Sequence, residues 1–296
     1  MPSTRDIRRR IKSVKSTAQI TKAMQLVAAA KMKKAQDQAT NGRAYADLMN
    51  KVLVSLKEGA EENVHPYFSP GTGNKTLVLV ITSDKGLCGA LNTNLLRKLS
   101  QSQSELGTEV EYVTVGRKGA GSLARLKKNL IADFPVKDPA RFVDVRTVGK
   151  FLQDRYLTGE YKTILVAFNN YVNTVTVIPS IETLLPINPV TLGGKRSYED
   201  ASVADASQAP SLEYTFEPSP GDVFNAVLPQ YVNNTVYQMV LESRASEHSS
   251  RMVAMKNATD NAKQMLKDLS LEYNKLRQAA ITNELLEITT AKMALE

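Results

Sequence analysis

Two histidines, one cysteine, two glycine-rich turns and a run of arginines are the residues of this chain whose types could do chemistry. His65 and His248 could bind a metal or move protons, and Cys88 could act as a nucleophile if a histidine activated it. The histidines lie in different segments, and a single cysteine cannot build a thiolate cluster. His65 precedes a proline in a loop and His248 falls within a helical stretch, so packing or surface roles are expected of both. No motif supporting a cysteine–histidine pair surrounds Cys88. Val115-Gly116-Arg117-Lys118-Gly119-Ala120-Gly121 joins a strand-like run to a helix-like one. A nucleotide-binding fold cradles phosphate at such a turn. Its spacing is G-x-x-G-x-G, however, not the dinucleotide fingerprint G-x-G-x-x-G, and no segment matches G-x-x-x-x-G-K-[ST]. Gly86-Leu87-Cys88-Gly89 is likewise a turn without the phosphate-binding lysine. We therefore expect no active site, no cofactor and no metal, and read the chain as a non-enzyme.

Arg8, Arg9, Arg10, Lys12 and Lys15 could lie along nucleic-acid phosphates. Residues 1–57 hold 13 Lys or Arg against 3 Asp or Glu, a net +10, while the whole chain carries +8. All of the excess positive charge is thus on the first segment. Such a segment suits an acidic partner, nucleic acid or a membrane surface. Residues 1–44 contain no aromatic side chain to stack on bases and match no recognised module, which weighs against nucleic acid. The lone cysteine suits a reducing compartment. No run approaches the 18 or so apolar residues of a membrane span, and no apolar stretch follows the charged N-terminus, so neither a span nor a secretory signal is expected.

The elements behind these residues are dominated by the chain ends. Residues 230–296 contain no glycine and no proline, which predicts one helix of roughly 100 Å, too long to fold into its own domain. Met252, Met255, Thr259, Ala262, Leu266, Leu269, Tyr273, Leu276 and Ala280 follow in alternating steps of three and four. That is the seam of a left-handed coiled coil. Beyond Ala280 the register slips, with apolar Ile281, Leu285, Leu286 and Ile288 on more than one side. The other helix is expected over 1–57, capped by Ser3 or Thr4, with Ile7, Ile11, Val14, Ala18, Met24, Val27, Ala28, Met32, Ala35 and Ala39 marking its packed side. One helix leads into the middle of the chain and the other leads out, so the pair should be antiparallel. The middle, 58–220, reads as a small α/β domain. Strands are expected at 75–83, 110–115, 161–168 and 174–178, the last antiparallel, at an edge and closed by Pro179. Helices are expected at 91–104 and 123–130, and Gly193–Ser211 as a flexible linker. A strand-like 212–216 and a turn at 217–221 then lead into the last helix, residues 221–296, in which Pro229 invites an early kink. The fold class is α/β: a long antiparallel coiled coil of the terminal helices plus a central Rossmann-like domain with a mainly parallel sheet.

Several stretches resemble one family. Ile20-Thr21-Lys22-Ala23-Met24 with Val27-Ala28-Ala29-Ala30-Lys31-Met32 resembles the N-terminal helix of the gamma subunits of F-type ATP synthases. Ser83-Asp84-Lys85-Gly86-Leu87-Cys88-Gly89-Ala90-Leu91-Asn92 is similar to their loop after the first strand. Arg251-Met252-Val253-Ala254-Met255-Lys256-Asn257-Ala258-Thr259 and Tyr273-Asn274-Lys275-Leu276-Arg277-Gln278-Ala279-Ala280-Ile281-Thr282 resemble their C-terminal signature. The resemblance implies a rotary shaft that binds no nucleotide, turned by a membrane-embedded c-ring inside a hexamer of alpha and beta subunits. It implies that Met24, Lys22, Lys31, Lys33, Lys34, Arg251, Gln278 and Thr282 face the beta subunits. Ile281, Leu285, Leu286 and Ile288 would turn in an apolar collar of the hexamer. Asp84, Lys85, Gly86, Leu87, Cys88 and Asn92 would face the epsilon subunit or the ring. One copy per complex is implied, peripheral to the cytoplasmic face of a bacterial inner membrane, without insertion into it. The alternative is a coiled-coil adaptor or nucleic-acid-binding protein with a basic arm.

Overall fold

The computed structural model describes residues 3–59, 65–102, 109–187, 217 and 220–295. The expected linker 193–211 and the strand-like 212–216 lie outside them. Helix α1 is Thr4–Gly59 and the last helix, α5, is Pro220–Leu295. Ser3 caps α1: its Oγ accepts the Asp6 N–H at 3.2 Å, while Asp6 Oδ2 accepts the Ser3 N–H and hydroxyl. This reciprocal box satisfies donors that a helix start leaves open. Pro220 opens α5, where its missing N–H costs nothing. Pro229 lies inside that helix, which continues through it.

The chain divides into two compact units. The first comprises Met1–Ala29 with Arg251–Glu296. Here Thr4, Ile7, Ile11, Val14, Ala18, Thr21, Gln25 and Ala28 of α1 are buried or half-buried in steps of three and four, with Met24 and Ala29 half-buried beside them. On α5, Met252, Met255, Thr259, Ala262, Leu266, Leu269, Tyr273 and Leu276 are buried or half-buried as expected from the heptads, and so are Arg251, Val253, Ala254 and Ala258. Thr21 and Thr259 meet across the seam, hydroxyl to hydroxyl at 2.7 Å. Each hydroxyl also lies near a carbonyl of its own helix, Ala18 O and Met255 O. Two protons serve three contacts, so one hydroxyl donates to its own helix while accepting from the other. Two expectations fail. Val27 is 57% exposed and stands outside the seam, whose polar members Thr21 and Gln25 an apolar count passes over. Ala280 is exposed as well. With Thr21 opposite Thr259, antiparallel pairing brings Thr4, where α1 starts, level with Leu276.

The second unit is Ala30–Ser250. It holds β1 (Lys75–Ile81), α2 (Leu91–Gln101), β2 (Val110–Val115), α3 (Arg117–Arg125), β3 (Leu130–Phe134), α4 (Phe142–Leu157), β4 (Tyr161–Tyr171) and β5 (Val177–Leu185). The sheet order is β3-β2-β1-β4-β5, parallel except for β5. Alternation along each strand splits the core between two faces. Leu77, Leu79, Ile81 and Val113 join α4 and α5 on one side; Val78, Val80 and Tyr112 join α2 and α3 on the other. Ala35 packs with Ala245 and Tyr171, and Gly42 lies against Gln238. As the α1 number rises the α5 number falls, so the pairing in this unit is antiparallel.

The central elements differ from expectation in three places. The helix expected at 123–130 is α3, which starts at the glycine turn itself and ends by Leu126 and the left-handed Lys127, φ 52°. The strand β3 and helix α4 were not anticipated. Buried Val145, Val148, Gly149, Leu152, Gln153 and Tyr156 give α4 a helical face, but two of them are polar or side-chain-free, which hides it from an apolar count. Gly149 is needed because a Cβ there would collide with Asn233 of α5. The antiparallel edge strand is present as β5, yet Pro179 lies within it instead of closing it. Lys98 of α2 donates to the Pro179 carbonyl at 2.8 Å. An edge proline and a lysine are both devices that discourage further strand pairing.

Candidate functional site

In a sheet ordered 3-2-1-4, ligands bind outside the C-terminal ends of the strands where the order reverses, here between β1 and β4. The residues at that place are occupied with one another. Gly116 takes φ 107°, a conformation that a side chain would strain, and a Cβ there would strike the Thr82 carbonyl. The turn it makes aims the first N–H groups of α3 at the loop after β1. Arg117 N–H donates to Asp84 Oδ1 at 3.2 Å, Lys118 N–H to Ser83 O at 3.1 Å and Gly119 N–H to Thr82 Oγ1 at 2.8 Å. A helix N-terminus is a ready anion site. This one is already capped from inside the protein.

The loop after β1 is itself held. Asn92 donates to Ser83 Oγ at 2.7 Å and accepts from Ser83 N–H at 3.2 Å; Cys88, buried, lies 3.7 Å from the Ser83 hydroxyl. Asp84, Cys88 and Asn92, expected to face partners, therefore spend their polar atoms inside the fold. Lys85 and Leu87 are the exposed part, and Leu87 is left-handed at φ 62°.

The space beyond the strand ends is taken by the terminal helices. Arg244 of α5, almost wholly buried, donates to Asp84 Oδ2 at 3.0 Å, to Val136 O at 2.7 Å and to Glu247 Oε2 at 2.9 Å. Ser246 donates to Asn169 O at 3.0 Å and Ser249 to Thr174 O at 2.6 Å. Gln36 of α1 donates to the Tyr171 hydroxyl at 2.6 Å. Asp138, in the loop after β3, accepts from Lys31 of α1 at 2.7 Å on the oxygen that lies 3.4 Å from His248 Nε2 of α5. The neighbouring His248 and the Lys31 ammonium hold the Asp138 carboxyl far below the usual carboxylate range, against the opposing effect of burial. Loops after β1 and β3 and the β4–β5 turn thus grip both helices where a nucleotide-binding relative of this sheet would hold its ligand.

The chemical candidates fall into place around this grip. His65 caps a short turn, its Nδ1 accepting the Tyr67 N–H at 3.2 Å, and burial pushes its pKa down. His248 belongs to the Asp138 cluster, so the two histidines do not meet. Among the described residues no group of three metal-binding side chains occurs. A groove of about 490 Å³ between α4 and α5 is lined by Phe142, Arg146, Pro229, Gln230 and three small or amide residues, with no acid and no nucleophile. Among the described residues no helix is long and apolar enough to cross a membrane.

The residues expected to face the beta subunits are distributed over both units. In the first, Lys22 is exposed and donates to Gln25 at 3.3 Å, Met24 is half-buried beside the seam, and Arg251 is buried. Gln278 and Thr282 are exposed, and the Thr282 hydroxyl donates to Gln278 O. In the second, Lys33 and Lys34 are exposed, whereas Lys31 is engaged with Asp138. The last stretch of α5 is its most distinctive surface. Every described side chain from Arg277 to Met293 is exposed, among them Ile281, Leu285, Leu286 and Ile288 at 49–65%. An apolar group of this kind on one helix marks an interaction surface.

A family model described as ATP synthase matches residues 3–295. The chain is 47% identical to the ATP synthase gamma chain of Opitutus terrae over 296 residues, 99% of each chain. It is 44% identical to that of Methylacidiphilum infernorum over 300 residues, 100% of each. Among solved structures, a chain of the Tetrahymena thermophila mitochondrial ATP synthase central stalk and c-ring matches at 25% identity and TM-score 0.59, over 81% of this chain and 99% of that one. A rotor chain of the Euglena gracilis mitochondrial ATP synthase shares the fold at TM-score 0.65 and 18% identity, over 94% and 98%. Matched from residue 3 to residue 295, and nearly half identical to a gamma chain along its whole length, the chain belongs to the gamma chain family of ATP synthase.

Proposed function

We propose that this chain is the central-stalk rotor of a proton-translocating F-type ATP synthase, carrying rotation between a membrane c-ring and the catalytic hexamer of alpha and beta subunits. The observation that carries this is the match to gamma chains over residues 3–295. A gamma chain is a non-catalytic subunit of the complex, in keeping with a switch point filled by helices. The same match favours the rotor over a coiled-coil adaptor or a nucleic-acid-binding arm.

The finer assignments follow from what each surface offers. Ile281, Leu285, Leu286 and Ile288, left bare beyond Leu276, turn inside the apolar collar of the hexamer. Lys22, Met24, Lys33, Lys34, Arg251, Gln278 and Thr282 face the beta subunits; Lys31 joins them with only the part of its charge that Asp138 leaves uncompensated. The apex, with Lys85 and Leu87 exposed around half-buried Gly86, faces the epsilon subunit or the ring, while Asp84, Cys88 and Asn92 hold that apex in shape. One copy serves each complex, on the cytoplasmic face of a bacterial inner membrane. By function the chain divides into 1–57, 58–220 and 221–296, the two helices and the α/β domain.

Affinity purification from gently solubilised membranes tests the assignment. Recovery of alpha, beta, epsilon and ring subunits with the tagged chain is expected. Retention on nucleic acid without those subunits would reject it.

A further inference from the structure

The two terminal helices of a rotor must not turn within the domain that drives them. Apolar packing of α5 on the sheet resists separation, but it has no preferred direction and tolerates sliding. Charge-assisted hydrogen bonds are both short and directional. In the second unit such bonds include Lys31 of α1 to Asp138 and Arg244 of α5 to Asp84. Asp138 touches α1 through Lys31 and α5 through His248 with the same carboxylate oxygen. One helical turn before His248, Arg244 reaches a second carboxylate, Asp84, and a carbonyl, Val136. Asp84 is anchored in turn by the first N–H of α3. Two loops from different strands therefore seize one face of α5 at two heights, and one of them also holds α1.

We infer that this clasp, centred on Asp138, is the torque grip of the rotor, and that Asp138 is a positioning residue for energy coupling. The clasp ties the loops after β1 and β3 to the helix pair. The inference rests on the rotor assignment above. Loosening the grip adds twist between the helices and the sheet under load while leaving unloaded turnover intact. Asp138→Asn keeps the shape of the side chain and removes its charge.

The test uses the whole membrane complex, with this chain supplied to a complex lacking its gamma subunit. ATP hydrolysis is measured with an uncoupler present, and proton uptake per ATP is measured against a rising gradient. Wild-type chain must first restore coupled pumping; if it does not, the rotor assignment fails and the grip is not in question. For Asp138→Asn the expected result is uncoupled hydrolysis like wild type and a loss of protons per ATP, about threefold or more, that grows with the opposing gradient. Asp138→Glu should recover most of it. If Asp138→Asn does not assemble, His248→Leu, which removes the α5 arm of the clasp, is read in the same way. Protons per ATP equal to wild type at every gradient, or hydrolysis and pumping falling together in both variants, would overturn the inference.

Discussion

Gly116 shows at the scale of one residue how a motif can be present without its chemistry. Its spacing misses the dinucleotide fingerprint, and its φ of 107° serves to bring α3 onto the Thr82 and Asp84 acceptors. Gly116→Ala must strain the backbone or push the Thr82 carbonyl away, at a cost of about 2–3 kcal/mol. A melting temperature several degrees lower for the isolated chain is the expected reading. Asp138 makes a prediction with a definite sign. Its carboxyl is held below its unfolded value, so the stability it contributes is present above that value and lost progressively as pH falls from there through the lowered folded one. Melting should weaken below about pH 5, and Asp138→Asn should flatten that acid limb; an unchanged limb would show that the charge of Asp138 contributes nothing to folding. Met24, half-buried at the edge of the seam, is proposed to face the beta subunits. Met24→Lys should leave the complex assembled and hydrolysing ATP while impairing proton pumping in vesicles. The spacing of the glycines was legible in the sequence. The partners of Asp84 were not, since Arg244 lies 160 positions away and no local pattern announces a pairing at that distance.

Elements with a strict local period were the most readable. The α5 seam from Met255 to Leu276 follows from steps of three and four alone, and the parallel strands β1, β2 and β4 follow from their Val, Leu and Ile runs. Errors cluster where polar or small residues do the packing. Thr21 and Gln25 displaced Val27 from the seam of α1, and Gly149 and Gln153 concealed α4. Both helices pack through groups that an apolar count scores as surface. The register slip after Ala280 was visible, but exposure of α5 already begins at Arg277, a limit set by where α1 starts. This bare segment yields a prediction that separates stability from assembly. Replacing Ile281, Leu285, Leu286 and Ile288 by serine removes little buried area, so the isolated chain should melt within about a degree of wild type. Incorporation into the complex, followed by native electrophoresis, should fall. A large loss of melting temperature would mean that the segment packs on its own chain.

On the scale of the whole molecule, charge and topology divide the work. The first 57 residues carry a net +10, and Arg5, Arg8, Arg9, Arg10, Lys12 and Lys15 all point to solvent in the first unit, available to an acidic partner. The second unit has a sheet built like a nucleotide carrier whose crevice is closed by Arg244, Ser246 and Ser249 of α5 and braced by Asp138. That closure explains why a Rossmann-like sheet can be part of a non-catalytic subunit. The most direct test follows a single complex of alpha, beta and this chain, fixed through the hexamer, with a bead attached to an exposed position of the α/β domain. The account predicts one-directional rotation of the bead that requires ATP and stops when ATP is removed; ATP hydrolysis by such complexes with the bead standing still would contradict it.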